Sequence, residues 1–479
     1  MMKSVLVLLV ILINLYVSGQ NAKPRISGLL EEAYKKVQIN DLNGALSDLN
    51  KFIKTDSTSD YAYYCRGLIE LKQEKYNEAL IDADKSLKIN PQMGEAYVLR
   101  GLLYNHFGNY EKALSDCNLA LAINPKLAEG YLNRGVSKKN MGNFEEALLD
   151  YNKALQITPD LSEGYLNRGI LKLTLEKYPE AIVDFDKALA LNPKMWAAYE
   201  GRGTARKELD NYEEALSDFA KAIELNPELA ILYAKRGIVE NKLEKYPEAI
   251  TDLDRAIELG YSSDEVFLHK GLAKSKLMDF AGSASDYEQA IKLNPKMEDA
   301  FYGCATMRMA LGQYSFARLD FTKAIELNPV SGKAYTGRGV CSLYQDNISG
   351  ALTDLNKAIQ LDSTLAEAYF FLGSIRDEQE DYREAISNFS KVIALKSNLL
   401  TPPAYLNRGM AYARLEDLDH AMADANEAIK LNPDMADAYR LRGICKTVRG
   451  DQAGACEDWY KALELGSTTV GDFIANECK

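Results

Sequence analysis

Proline recurs in this chain at positions 91, 125, 159, 193 and 227, then at 295 and 329, so every interval is 34 residues or twice that. A fixed period of this size means stacked supersecondary units, and it overrides the expectation of about three globular domains that length alone would set. Counted from Ile26, thirteen repeats start at residues 26, 60, 94, 128, 162, 196, 230, 264, 298, 332, 366, 402 and 436, covering 26–469. The pentapeptide Tyr-Leu-Asn-Arg-Gly keeps the same period. Its copies at Tyr131 and Tyr165 lie 34 residues apart, and the copy at Tyr405 follows 240 residues later, seven periods plus two residues. Those two residues fall in repeat 11 (366–401), the one repeat of 36 residues. Its end, "SNLLTPPAYLNRG", holds Pro402 and Pro403 where other repeats have a shorter link. It reads as a lengthened turn, either a bend between repeats 1–11 and 12–13 or an insertion that the stack absorbs.

Each repeat reads as two helices. In repeat 4, Tyr131, Gly135, Ala147, Tyr151 and Ala154 recur at helical spacing, and Gly142-Asn143 breaks the pattern between two halves, which predicts a helical hairpin. The residue before the proline position is Asn, Asp or Gly in eleven of the thirteen repeats, and those types leave the helical region at little cost. Position 8 is Gly in eleven repeats and Ala in two, position 20 is Ala in twelve, and position 4 is aromatic in twelve, from Tyr63 to Tyr439. Large rings opposite small residues predict knobs and holes between neighbouring helices.

Aromatic, Gly, Ala, aromatic, Ala and Pro at positions 4, 8, 20, 24, 27 and 32 of a 34-residue unit resemble the tetratricopeptide repeat, over about 444 of the 479 residues. The resemblance implies an all-α fold, an α-solenoid in which antiparallel helix pairs wind into a right-handed superhelix. It also implies a concave face, lined by first helices, that receives extended peptides or helices of partner proteins. Positions 2, 5, 6, 9, 12 and 13 would face it. On that reading the partner-binding candidates are Asn133, Asn167 and Asn407, whose amides can both donate to and accept from a peptide backbone, with Glu200 and Lys235, and the rings of Tyr302, Phe370 and Phe371. The two-carboxylate clamp of some family members is not expected, because position 5 is mostly apolar here.

Charge follows the period too. Arg66, Arg100, Arg134, Arg168, Arg202, Arg236, Arg338, Arg408 and Arg442 occupy position 7, and position 23 is Asp in every repeat except repeat 11, which has Asn388. A partly buried guanidinium wants a carboxylate, so these arginines are expected to pair with Asp82, Asp116, Asp150, Asp184, Asp218, Asp252, Asp354, Asp424 and Asp458 in a structural ladder. The alternative is a basic ligand-binding stripe. Repeat 11 lacks both partners, having Leu372 at position 7, whereas repeats 1 and 9 keep the Asp without the Arg.

Catalytic signatures are missing from the sequence. The three histidines, His106, His269 and His420, sit in separate repeats, and a stacked array keeps distant repeats apart. There is no phosphate-cradling glycine loop and no hydrolase or metalloprotease motif, so the expectation is a non-enzyme with no metal and no cofactor. A chain with 69 acidic residues is a poor nucleic-acid binder, and nothing suggests a small-molecule substrate.

At the start, Lys3 precedes an apolar run from about Val5 to Val17, followed by small and polar residues, the layout of a secretory signal peptide over residues 1–19 with a lead over 20–25. The run is short for a retained span, so a soluble exported protein is expected, periplasmic, outer-envelope-associated or secreted. Losing Lys3 with the leader leaves 56 basic against 69 acidic residues, a net charge of −13. Seven cysteines are an odd number for such a compartment. Cys445 and Cys456 stand about equally far from the last hairpin turn with Cys478 near, so a disulfide among these three would pin the end; the alternative is small buried thiols. Over 470–479, Val470, Phe473 and Ile474 are spaced as a short amphipathic cap. The function expected is a non-catalytic protein–protein interaction scaffold of the extracytoplasmic space. Its alternative is a non-catalytic regulatory or targeting subunit of an envelope enzyme complex.

Overall fold

The computed structural model describes residues 28–478. The expected leader and the lead before Ile26 lie outside the described residues. Among the described residues there are 27 helices and no strands. First and second helices alternate along the chain from Gly28–Gln38 and Leu42–Thr55 to Ala436–Val448 and Gln452–Glu464, and a short helix, Gly471–Glu477, ends the series. The chain divides into two compact bodies, Met1–Leu243 and Glu244–Lys479, and each is an all-α solenoid of stacked hairpins.

The turns explain the period. Position 15, between the two helices, adopts a left-handed backbone in every repeat, from Asn40 (φ 63°) through Gly142 (φ 83°) to Gly450 (φ 83°). Glycine fills it in only some of them; Glu74, Glu176 and Asp210 take the same conformation with a side chain. The second turn works differently. Asn90 and Asn124 end their helices in an extended conformation, not a left-handed one, and each side-chain oxygen accepts from the backbone N–H two residues on, at 3.0 Å. Asp56 and Asp362 do the same at 2.9 and 2.8 Å. That position turns left-handed in three repeats, at Gly260 (φ 90°), at Gly466 (φ 91°) and, with a side chain, at Lys396 (φ 52°). The side-chain bond is thus what stops most second helices.

Packing between paired helices depends on the small position 8. A Cβ added at Gly135 would lie 2.6 Å from the ring of Tyr151, and one at Gly443 would lie 2.3 Å from Trp459. Tyr151, Phe185, Phe219, Phe321, Phe389 and Trp459, all at position 24, are completely or almost completely buried against this small surface. Each such ring buries on the order of 150–250 Å², so the ring-on-glycine contact is the main apolar anchor of its hairpin.

The two inserted residues lengthen the loop between Tyr382–Ala394 and Thr401–Arg414, but Pro402 and Pro403 do not lie in it. They open the following helix, where a missing N–H costs nothing and the fixed φ suits the first turn. The core runs on across the insertion through Ala385, Phe389, Val392, Ala404 and Ala411.

Candidate functional site

The arginine stripe forms a repeated ion-pair geometry. Arg134 donates from Nε and Nη2 to the two carboxylate oxygens of Asp150 at 2.9 and 2.7 Å. The same two-pronged contact joins Arg66 to Asp82, Arg100 to Asp116, Arg168 to Asp184, Arg202 to Asp218, Arg338 to Asp354, Arg408 to Asp424 and Arg442 to Asp458, at 2.6–3.2 Å. The aspartates are buried, 1% exposed at Asp184. Each guanidinium also lies over the position-4 ring three residues earlier, 5.2 Å from the centroid for Arg134 over Tyr131. Hydrogen bonding to Asp150 holds the Arg134 guanidinium above its ordinary pKa against the opposing effect of burial. In the first body Arg236 lies over Tyr233 with its Nε 3.9 Å from Glu240; in the second, Asp252 is buried.

Two further partners escaped the sequence reading. The third guanidinium nitrogen, Nη1, reaches back to position 25 of the preceding repeat: Arg66 to Asn50 at 2.6 Å, Arg100 to Asp84 at 2.7 Å, Arg134 to Asn118 at 2.9 Å, Arg442 to Asn426 at 2.9 Å. Each rung therefore ties one hairpin to the previous one. Across the two-residue insertion Arg408 still makes the bond, to Ser390 at 2.9 Å, with a sequence separation of 18 where the others show 16. The second partner is position 11, one helical turn past the arginine, where Lys138, Lys172, Arg206, Lys274 and Lys446 add a second cation to the same aspartate.

Position 11 also explains repeats 1 and 9. Lys36 bonds Asp48 at 2.5 Å, and Arg308 bonds both Asp320 and Glu288 of the preceding repeat. The rung survives there, built from the next turn of the helix. In repeat 8, Lys270 bridges Asp254 at 2.7 Å and Asp286 at 3.4 Å. Repeat 11 has no rung: Leu372 is buried, and Asn388 turns its amide to the carbonyl of Glu384 on its own helix. In repeat 2, position 11 is Glu70. Burial, with Asp82 beside it, pushes this carboxyl up to about 7, and one of its oxygens has no hydrogen-bond partner within the protein.

The candidates on the first-helix face are mostly engaged inside the fold. Asn133 is buried and donates to the carbonyl of Val98, while Asn105 donates to the carbonyl of Asn133, so successive first helices are stitched side by side. Asn167 donates to the carbonyl of Glu163 on its own helix at 2.8 Å. Glu200 and Lys235 pair with each other. Tyr302 packs edge-on to Phe321 at 5.8 Å, and Phe370 packs edge-on to both Phe371 and Phe389 at 5.9 and 5.8 Å. Asn407 is half-buried. Also half-buried on this face are the apolar Val98, Leu102, Val136, Leu166 and Ile170, at positions 5 and 9.

Cys456 is bonded to Cys478, whereas Cys445 is a buried free thiol whose pKa burial raises. Of the three cysteines expected to hold one disulfide, Cys456 and Cys478 form it and Cys445 stays out of it. Cys445 packs into the apolar core with Leu441 and Ala438, and Cys456 turns outward to the terminal helix. Val470 is fully buried, Phe473 stacks on Trp459 at 5.1 Å, and Gln452 donates to the carbonyl of Glu477 at 2.8 Å. Of the histidines, His106 stacks on Tyr76 and His420 on Tyr412, and both are exposed to solvent. Among the described residues no group of three or more His, Cys, Asp or Glu is placed to hold a metal ion, and no helix is long and apolar enough to cross a membrane.

The tetratricopeptide repeat family matches at residues 64–128, 128–161, 162–195, 202–264, 366–399 and 402–435, together more than half of the chain. This chain belongs to the tetratricopeptide repeat family, whose members are generally non-catalytic scaffolds for protein–protein interaction. Among curated proteins it is similar to RNA polymerase II-associated protein 3 of Xenopus laevis, 44% identical over 59 residues, 12% of this chain and 9% of that one. It is also similar to heat shock protein STI1 of Saccharomyces cerevisiae, 36% identical over 64 residues, 13% and 11% of the two chains. The chain therefore spans only about a tenth of the length of these relatives. Among solved structures, the Cut9-Hcn1 hetero-tetramer of the APC/C aligns over 96% of this chain and 97% of that one, at 14% identity and a TM-score of 0.44.

Proposed function

We propose that this protein is an exported, non-catalytic scaffold that holds peptide or helical segments of partner proteins on the face lined by its first helices. One observation carries the reading. The arginines and aspartates of the period are consumed by rungs between hairpins, whereas Val98, Leu102, Val136, Leu166 and Ile170 leave a contiguous apolar strip half-open along successive first helices. A strip of that kind on a folded chain marks an interaction surface. Export is supported by the charged-then-apolar layout of residues 1–19 and by the Cys456–Cys478 bond, which persists in an oxidising compartment. The test places a photo-crosslinking amino acid at Val136, on the strip, or at Leu149, 68% exposed on a second helix, in cells that export the chain. Discrete protein adducts from position 136 and none from 149, with a mature chain that begins after the leader, are expected. Adducts equal at both positions, or a chain that keeps Met1, would contradict the reading.

A further inference from the structure

In seven rungs the outer nitrogen of the arginine, Nη1, meets the position 25 acceptor of the preceding repeat at 2.5–2.9 Å, Asp84 and Asp186 among those acceptors. Repeat 10 differs. Its acceptor is Thr322, whose short hydroxyl lies 3.5 Å from Nη1 of Arg338, a length at which a hydrogen bond contributes little. Arg338 nevertheless stands fixed, because Nε and Nη2 hold Asp354 at 2.8 and 2.7 Å and the guanidinium lies over the Tyr335 ring, 5.3 Å from its centroid. The edge turned away from Asp354, formed by Nη1 and the second hydrogen of Nη2, is therefore a preset fork for another oxyanion.

Arg338 lines an open-sided pocket of about 660 Å³ together with Tyr335, Asn356, Lys357 and Gln360. Two features of the neighbouring positions keep it open. Asn356 stands at position 25, but repeat 11 sends it Leu372 in place of an arginine, and its amide donates instead to the Leu352 carbonyl at 2.7 Å. Position 11 is Ser342, which brings no second cation, and the Asp354 side chain is 10% exposed where those of the seven other rungs are 2–6%. The pocket thus sets two cations, Arg338 and the half-buried Lys357, against one carboxylate, in a chain of net charge −12. Its volume lies within the roughly 300–1,000 Å³ of sites for small organic ligands, well above what an inorganic ion fills. We propose that this pocket binds a small hydroxylated carboxylic acid, a sugar acid in chemical class, with its carboxylate on the free edge of Arg338 beside Lys357 and its hydroxyls on Asn356, Gln360 and Tyr335. The site is independent of the first-helix face and goes beyond the scaffold reading.

The experiment titrates the full chain with glucuronate, glucose and inorganic phosphate in a calorimeter. Saturable binding of one glucuronate per chain is expected, with none of glucose and with phosphate at least about tenfold weaker. Thr322→Asp gives Arg338 the outer partner that Asp84 gives Arg100 and Asp186 gives Arg202, so it should leave the fold intact and weaken glucuronate binding about tenfold. Lys357→Gln, at a half-buried surface position, should weaken it about fivefold, and circular dichroism checks the helix content of both variants. Absence of saturable glucuronate binding, glucose bound as well as glucuronate, phosphate bound as well as glucuronate, or either variant binding as the parent does would overturn the proposal. None of these results bears on the scaffold reading, which the Val136 crosslinks test separately.

Discussion

Repeats 5 and 11 sit in the same kind of hairpin stack and solve the same contact in opposite ways. In repeat 5, Asp184 is buried under Arg168 and Lys172, and Arg168 also reaches Asn152 of the repeat before at 2.7 Å. In repeat 11, Leu372 and Asn388 stand at the equivalent places, and the contact is apolar, with Leu372 3% exposed in one cluster with Leu355 and Ala368. Both repeats keep a fully buried position-24 ring, Phe185 and Phe389. The difference teaches that in these two hairpins the ring on the small position 8 holds with or without the charged rung, a specifying tie whose own desolvation offsets much of its attraction.

Deletion of the apolar substitute should have the largest effect. Leu372→Ala is expected to cost about 3 kcal/mol, measured by chemical denaturation and by hydrogen exchange in Ala366–Ala394, because no charge remains there to tie the hairpin. Asp184→Ala follows at about 2–3 kcal/mol, since it strands two cations against apolar surroundings. Protection lost throughout Ser162–Leu191 would register it. A third form of the rung, repeat 2, gives a smaller and pH-dependent effect. Glu70 has a folded pKa of about 7 against an ordinary 4.5, so its protonated form is favoured by folding. The contribution is therefore fully present below pH 4.5 and lost as pH rises through 7. Glu70→Gln should match the parent near pH 4.5 and exceed it by about 1–2 kcal/mol at pH 8. The smallest change is expected from Arg168→Leu with Asp184→Asn, which copies repeat 11 into repeat 5 and should cost about 1 kcal/mol or less, below Asp184→Ala alone.

Much of this was open to a reader of the sequence because the period repeats chemistry at fixed places. Arg at position 7 and Asp at 23 can be paired on paper, since a 34-residue repeat brings them to the same spot every time. Position 25 could not be found that way. Any acceptor will do there, so Asn50, Asp84, Ser390 and Asn426 share a role without sharing an identity. Position 11 was hidden for a similar reason, because a long flexible Lys or Arg one turn away, such as Lys36 or Arg308, reaches the same aspartate. The left-handed turn at position 15 was visible at Gly142 but not at Glu74 or Asp210, where a side chain accepts the strain. Asn133 and Asn167 looked like binding groups because periodicity placed them on the first-helix face. Only the structure reveals that their amides are already engaged, Asn133 with a carbonyl of the neighbouring first helix and Asn167 with one of its own helix. The same ambiguity held for Cys445 and Cys456, where the spacing alone could not show which thiol faces the terminal helix.

The account turns on the arginine stripe being a brace between hairpins, with partner binding left to the other edge of the first helices. A double-mutant cycle on Arg168 and Asp184, with Arg168→Leu, Asp184→Asn and both, tests it most directly when stability and crosslinking from position 136 are read on the same four proteins. A coupling of at least about 1.5 kcal/mol, with adduct formation from Val136 unchanged in the double variant, is the predicted result. A coupling near zero together with loss of the adducts would show the stripe to be a ligand surface and contradict the account.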